Sequence, residues 1–522
     1  MQGRFEDALD EVDRCLNNNW HNHKARALKA AILRKFGKHS EAISLIGESL
    51  ECDQFNYGCR YEKYLLEKDD KVLAEMKQMM RRSAQNYDEI ALDYCAAGLT
   101  DEARDIWHIA IGEDAVSPMT WYYLFAFCGE ADALMKAEQA DSAYCFPNRA
   151  EDVIALNTAK NIVNSQLSTF NSQFSSPNCQ RSTVNCQLSK APYYLGCLYY
   201  AARQYDLAIE NWEQSAKANP DFPTVWRNLA LARFNKQNRQ QEALEYMERA
   251  FRLNEDDERI LMELDQLYKR LQKPHDERLA FLQKYPQLIQ RRDDLVLEEI
   301  TLLNQLGRYE EAMQKLDSHI FHPWEGGEGK VSSQYQICRL ELTKKMLTGG
   351  SEKAEAKRLL EECLVFPSHL GEGKLYGAQD NDFLYFLERY DEGTAGPTEP
   401  AAAMYYNDAK PDKIFYAALC YRKLGKEDKA RGLFFKLVNY GKQHLFDHIT
   451  MDYFAVSLPD LLIWDDSLDT KNRIHCLYML ALGYFGLGDR EHGERYLREV
   501  EGLDINHQGV QALRTLLKSG LI

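Results

Sequence analysis

The sequence predicts an all-α protein, a solenoid of stacked antiparallel helix pairs with inserted loops. Three observations carry this prediction. The first is APYYLGCLYYAARQYDLAIENWEQSAKANP, 191–220, where Leu195-Gly196, Tyr199, Ala208, Trp212 and Pro220 fall at the tetratricopeptide spacing L-G-x2-Y…A-x3-F…P. The second is recurrence: Ala230 follows Gly196 by 34 residues, and Ala243, Met247 and Ala250 complete that unit one residue late. The third is a glycine followed five positions later by a small residue, at Gly3/Ala8, Gly37/Ala42, Gly98/Ala103, Gly307/Ala312, Gly425/Ala430 and Gly488/Gly493. The glycine ends a first helix, where a left-handed residue is needed. The small residue lets the second helix approach closely, and Trp107, Trp212, Leu316, Phe434 or Leu497 four positions on fills the space between pairs. Each pair buries its apolar stripe only against its neighbours, so the array is expected to be a curved rod with a concave face.

In chain order, 1–162 reads as helix pairs, clearest in NYDEIALDYCAAGLTDEARDIWHIAI at 86–111. Gly3 already sits at an inter-helix turn. The first helix of that pair is missing, so the chain is expected to be the C-terminal part of a longer protein or to have a misassigned start. Residues 163–190 hold a heptapeptide repeated nearly four times, with Asn164, Asn171, Asn178 and Asn185 seven apart. Ser, Thr, Asn and Gln dominate it. It lacks the apolar positions of a coiled coil, and too little apolar surface is available to offset ordering, so a disordered insertion is expected. Tetratricopeptide pairs resume over 191–320. A motif-rich region, 321–410, carries HPWEGGEGK and HLGEGK. Helical repeats return over 411–522, with Pro459 expected to break or kink a helix.

The bulk numbers bound the function. The chain has 522 residues, 45% of them apolar and 28% charged, with a net charge of −16. That balance argues against nucleic acid, whose phosphates must be neutralised by Lys and Arg, and against anionic membrane surfaces. No apolar run reaches the roughly 18 residues of a membrane span, and the N-terminus lacks a signal-peptide core. The 13 cysteines form no C-x-x-C and read as reduced, mostly buried thiols of a cytoplasmic chain. No cofactor is implied.

The two glycine-rich loops are the chemistry candidates. A phosphate-binding P-loop is excluded: Trp324 and Ser368 stand where the first glycine is required, and Val331 and Leu375 where Ser or Thr should hold magnesium. Glu325, Glu328 and Glu372 could act as paired carboxylates, with Trp324 stacking on a sugar. Alternatively, the glycines make turns and the glutamates cap the next helix, where negative charge is favoured. His444 and His448, with Asp447 and Asp452 nearby, have a spacing that can hold zinc, but no H-E-x-x-H is present and packing or capping accounts for them better. In RRDDL, 291–295, Asp293 or Asp294 is expected as an N-cap. Arg227 and Asn228 sit where a peptide-binding carboxylate clamp would begin.

YYLGCLYYAARQYDLAIENWEQS, FPTVWRNLALA, LDQLYKRL, RRDDLVLEEI, HIFHPWEGGEGKVSSQY, HLGEGKL and DYFAVSLPDLLIWDDSL together resemble the C-terminal tetratricopeptide half of a family of large bacterial proteins. In that family an uncharacterised β-sandwich domain, similar to galactose-mutarotase-like sugar-binding folds, precedes the repeats. The resemblance spans most of 86–510, and W-E-G-G-E-G is its most specific part. It implies that this chain once followed, or still follows, such a sandwich and works in a carbohydrate context. The expected function is a non-enzymatic scaffold that engages a protein domain through its concave face. That domain would be its own upstream sandwich or another protein, with carbohydrate a further ligand. Trp324, Glu325, Glu328, Lys330, Tyr335, Glu372, Lys374, Arg227 and Asn228 are the expected contacts. The rival reading is the accessory half of a carbohydrate-active enzyme, with carboxylates from the two loops.

Overall fold

The computed structural model describes residues 4–173, 188–324, 326–349, 353–396, 398–402, 410–450 and 463–521. Among them every regular element is a helix, so the protein is an all-α, tetratricopeptide-like helical-repeat solenoid. Packing divides the chain into two compact units, Met1–Val225 and Trp226–Ile522. None of the described helices is long and apolar enough to cross a membrane, and none of the described cysteines is in a disulfide.

The first unit holds α1 (Phe5–Asn18), α2 (His23–Lys35), α3 (His39–Cys52), α4 (Tyr57–Glu67), α5 (Asp70–Met80), α6 (Ala84–Ala96), α7 (Thr100–Gly112), α8 (Pro118–Cys128), α9 (Ala133–Gln139), α10 (Ala150–Gln173), α11 (Lys190–Ala201) and α12 (Tyr205–Ala218). The unit boundary falls within α13 (Pro223–Gln237). The second unit continues with α14 (Gln240–Leu253), α15 (Glu258–Arg270), α16 (His275–Leu282), α17 (Pro286–Ile289), α18 (Asp293–Gln305), α19 (Tyr309–Ser318), α20 (Lys330–Gly349), α21 (Lys353–Glu362), α22 (Asn381–Phe386), α23 (Pro411–Lys423), α24 (Glu427–His444), α25 (Leu468–Leu487), α26 (Arg490–Leu503) and α27 (Gln508–Ser519).

The recurring glycines do what their spacing predicts. Gly37, Gly98, Gly307, Gly425 and Gly488 all adopt positive φ, between 71° and 86°. At each, the next residue's N–H reaches back five residues, as in Lys38 N–H to Leu33 O at 2.9 Å and Arg308 N–H to Leu303 O at 2.9 Å. This closure satisfies the orphan carbonyls of the first helix and aims the chain into the second. The paired small residues Ala42, Ala103, Ala312 and Ala430 are fully buried. In the repeat at 191–220, Gly196 serves another purpose: a Cβ there would lie 2.4 Å from the Trp212 ring.

Two local expectations meet a different outcome. Composition ends the first set of helices at 162, yet α10 continues to Gln173, because extending an existing helix costs far less than starting one; the remaining heptad copies, 174–187, lie outside the described residues, as does Pro459. Neither Asp293 nor Asp294 caps α18. Arg292 holds the cap position without a side-chain bond. Asp294 instead pairs with Arg292 at 2.6 Å, while Asp293 accepts from the His322 backbone N–H at 2.7 Å and contacts the His319 ring at 2.8 Å.

The second unit closes on itself. Trp464, 2% exposed, donates its indole N–H to Glu263 O at 2.9 Å and meets the Phe234 ring edge-on at 5.2 Å. Asp465 and Asp466 pair with Lys236 and Arg270. Further on, Asn506 Oδ1 accepts from Arg278 at 3.1 Å, and its carbonyl accepts from Gln305 at 2.9 Å. Gln508 and Gln334 exchange amide hydrogen bonds between α27 and α20 at 2.9 and 3.0 Å. The late helices of this unit thus bond directly back to its early ones. Beneath this seam lies a buried triad. Arg278 donates to Asp265 at 2.7 Å and to Glu298 at 2.7 Å, and no side chain of the three is more than 9% exposed.

Candidate functional site in the second unit

Closure leaves a cavity of about 1060 Å³, at or above the upper end of common small-ligand pockets. Its walls come mainly from the first helices of pairs, α15, α18, α20, α23 and α25, and from α27. α20 is the longest wall, contributing residues from Lys330 to Lys344, a span of about 21 Å at 1.5 Å per residue.

The two glycine-rich loops interlock at one end. Phe321 N–H donates to His369 O at 2.8 Å, joining them directly. Glu372, from the second loop, accepts from the backbone N–H groups of Gly329 at 2.7 Å and Ser332 at 2.6 Å. It thereby caps α20 across 40 residues of sequence, satisfying orphan donors at the positive end of the helix. Gly329, at φ 73°, packs under Leu375, where a Cβ would lie 2.4 Å away. Gly371, at φ 70°, sits against the Phe321 carbonyl, also 2.4 Å from a Cβ. Gly327 lies beneath the Trp324 indole, 2.3 Å from where a Cβ would stand. These close approaches explain the glycines better than flexibility does.

Trp324, Glu328 and Lys330 therefore line the cavity together. Lys330 lines the cavity, and the surrounding protein strips away enough hydration, with Lys269 nearby, to hold its ammonium below the usual lysine range. The other expected contacts lie elsewhere. Glu372 is engaged in the cap, and Lys374 pairs with Asp380. Tyr335 is 2% exposed, under the Arg339 guanidinium, 3.6 Å from its ring centroid; burial pushes its hydroxyl up to about 12. Arg227 makes a bidentate pair with Glu263 at 2.7 and 2.6 Å and donates to Asn228. Glu325 lies outside the described residues. His444 and His448 turn to separate carboxylates, Asp447 at 2.7 Å and Asp469 at 2.9 Å; Asp452 is outside the described residues, among which no group of three or more metal-binding side chains occurs.

The remaining polar lining went unsingled in the sequence. Lys344 donates to Glu341 at 2.6 Å, with both side chains buried. Lys413 pairs with Asp382. Burial raises the carboxyls of Glu341 and Asp382 despite these ammoniums. Burial also lowers His507, whose neutral ring accepts from Val510 N–H at 3.2 Å. The available signal was Glu341 in CRLELTKKML, a carboxylate set directly between Leu340 and Leu342.

The tetratricopeptide repeat family matches residues 193–258. Among solved structures, the chain aligns with the Naa15/Naa10 complex bound to HypK-THB at 13% identity, over 99% of this chain and 94% of that one, with a TM-score of 0.24. It aligns with the human IFIT1 dimer with PPP-AAAA at 13% identity, over 95% and 94%, TM-score 0.23. YrrB, a TPR protein with an unusual peptide-binding site, aligns at 12% identity over 48% of this chain and 95% of that one, TM-score 0.17. The fold rests on the helix-pair geometry and the repeat match, not on these superpositions.

Proposed function

We propose that this chain is a non-enzymatic scaffold that holds a segment of a protein partner in the second unit's cavity, with Trp324, Glu328 and Lys330 at its entrance. The observation that carries this reading is the inner-face cavity itself. Repeat arrays bind along the surface made by their first helices, and here that surface encloses a space long enough for an extended peptide. The partner is taken to be a β-sandwich domain of the kind implied by the sequence resemblance. The accessory-enzyme reading is not favoured, because Glu372 is committed to two backbone N–H groups and does not face Glu328 across the cavity. Calorimetric titration with the separately produced sandwich domain tests the proposal. Binding is expected, and Trp324→Ala should weaken it by about 2 kcal/mol, as for a buried aromatic anchor. Absence of binding, or full affinity in the variant, overturns it.

A further inference from the structure

Glu341 is 4% exposed and lines the cavity. Its Oε1 accepts from Lys344, whereas Oε2 has no hydrogen-bond partner. A buried carboxylate oxygen without a donor is costly, and natural sites usually retain one because something else supplies the donor. The neighbouring charges indicate what that donor is. Asp382 and Asp412 also line the cavity, and Asp382 feels Asp412, Lys413 and Lys344 electrostatically. Three carboxylates thus face two ammoniums; Lys410, also on the lining, is exposed at the start of α23. The ring walls are three tyrosines, Tyr309, Tyr416 and Tyr478, each within the electrostatic reach of Glu341. Aromatic faces attract cations as well as any apolar chain that carries them.

Resting on the binding role proposed above, we infer that this deep end of the cavity is a subsite for an alkylammonium group, which donates to Glu341 Oε2 and packs its methylenes against the tyrosines. The group comes either from a lysine side chain in the bound peptide segment or from a free diamine. A lysine side chain and 1,5-diaminopentane present the same ammonium on a chain of similar length, so both serve as probes.

Calorimetric titrations of the full chain test this. One arm uses 1,5-diaminopentane, with 1,5-pentanediol as its uncharged counterpart. The other uses lysine-containing peptides from the partner domain, with norleucine replacing lysine in the control. The diamine is expected to bind at least about tenfold tighter than the diol, and Glu341→Gln should remove that preference while leaving the helical circular dichroism intact. The diamine–diol comparison needs no variant, so a misfolded Glu341→Gln protein would not rescue the idea. Equal affinity for diamine and diol, or an undiminished preference in Glu341→Gln, overturns the inference. With the diamine still preferred over the diol, a peptide that binds equally well with norleucine excludes the lysine source, supports the free diamine, and leaves the scaffold proposal standing. Glu341-dependent diamine binding without any peptide binding supports the subsite and removes the peptide reading instead.

Discussion

Single side chains decide two measurable properties. Asp88 in the first unit is buried, which pushes its carboxyl up to about 7 even though Thr120, Trp107 and Ser117 all donate to it. In the unfolded chain it titrates near 3.8. The folded state therefore takes up the proton first, so its stability should rise as pH falls from about 8 to 4. Urea midpoints of the wild type relative to Asp88→Asn should show that rise, and a flat or opposite difference would contradict the assignment. Glu372 is the second case. Removing its cap with Glu372→Ala should cost about 1 kcal/mol, while Glu328→Ala, on the exposed side of the same loops, should cost under about 0.5 kcal/mol. Chemical denaturation of the two variants separates a capping carboxylate from a surface one. Gly371→Ala should be worse than either. It forces a side chain into a left-handed residue against a backbone carbonyl, at about 1–3 kcal/mol.

At the scale of elements, the first-helix and second-helix pairs were legible because glycine, small residue and aromatic recur at fixed offsets, and each offset has a local cause. The capping of α20 was not, because Glu372 reaches it from a different loop; nothing local marks such a partner. The α18 cap failed for a related reason. Asp293 and Asp294 are suitable types, but His319, His322 and Arg292 offered better-placed partners. Of the cavity, Trp324, Glu328 and Lys330 were readable through an unusual motif, whereas Glu341, Asp382 and Lys413 were hidden in ordinary helical sequence. α27 carries its own prediction. It buries Val510, Leu513 and Leu516, and the turn before it holds Arg278 and Gln305. Deleting residues 504–522 should destabilise the second unit by ~5 kcal/mol, from three buried aliphatic side chains alone. A denaturant curve unchanged by the deletion would mean that α27 is merely appended.

For the whole molecule, the seam made by Trp464, Asn506 and Gln508 matters most. An ordinary repeat array is nearly one-dimensional: modules touch only their neighbours, and one more or one fewer leaves the rest undisturbed. The second unit does not obey that rule, because residues some 200 positions apart are bonded to each other. Its module count is therefore fixed by geometry, as staves are fixed by the hoop of a barrel. Splicing in or removing one helix couple would displace the two rims relative to each other and leave Arg278 without its late partner. Evolution of this half should proceed by substitution within a set circumference, whereas an open array is free to lengthen and shorten.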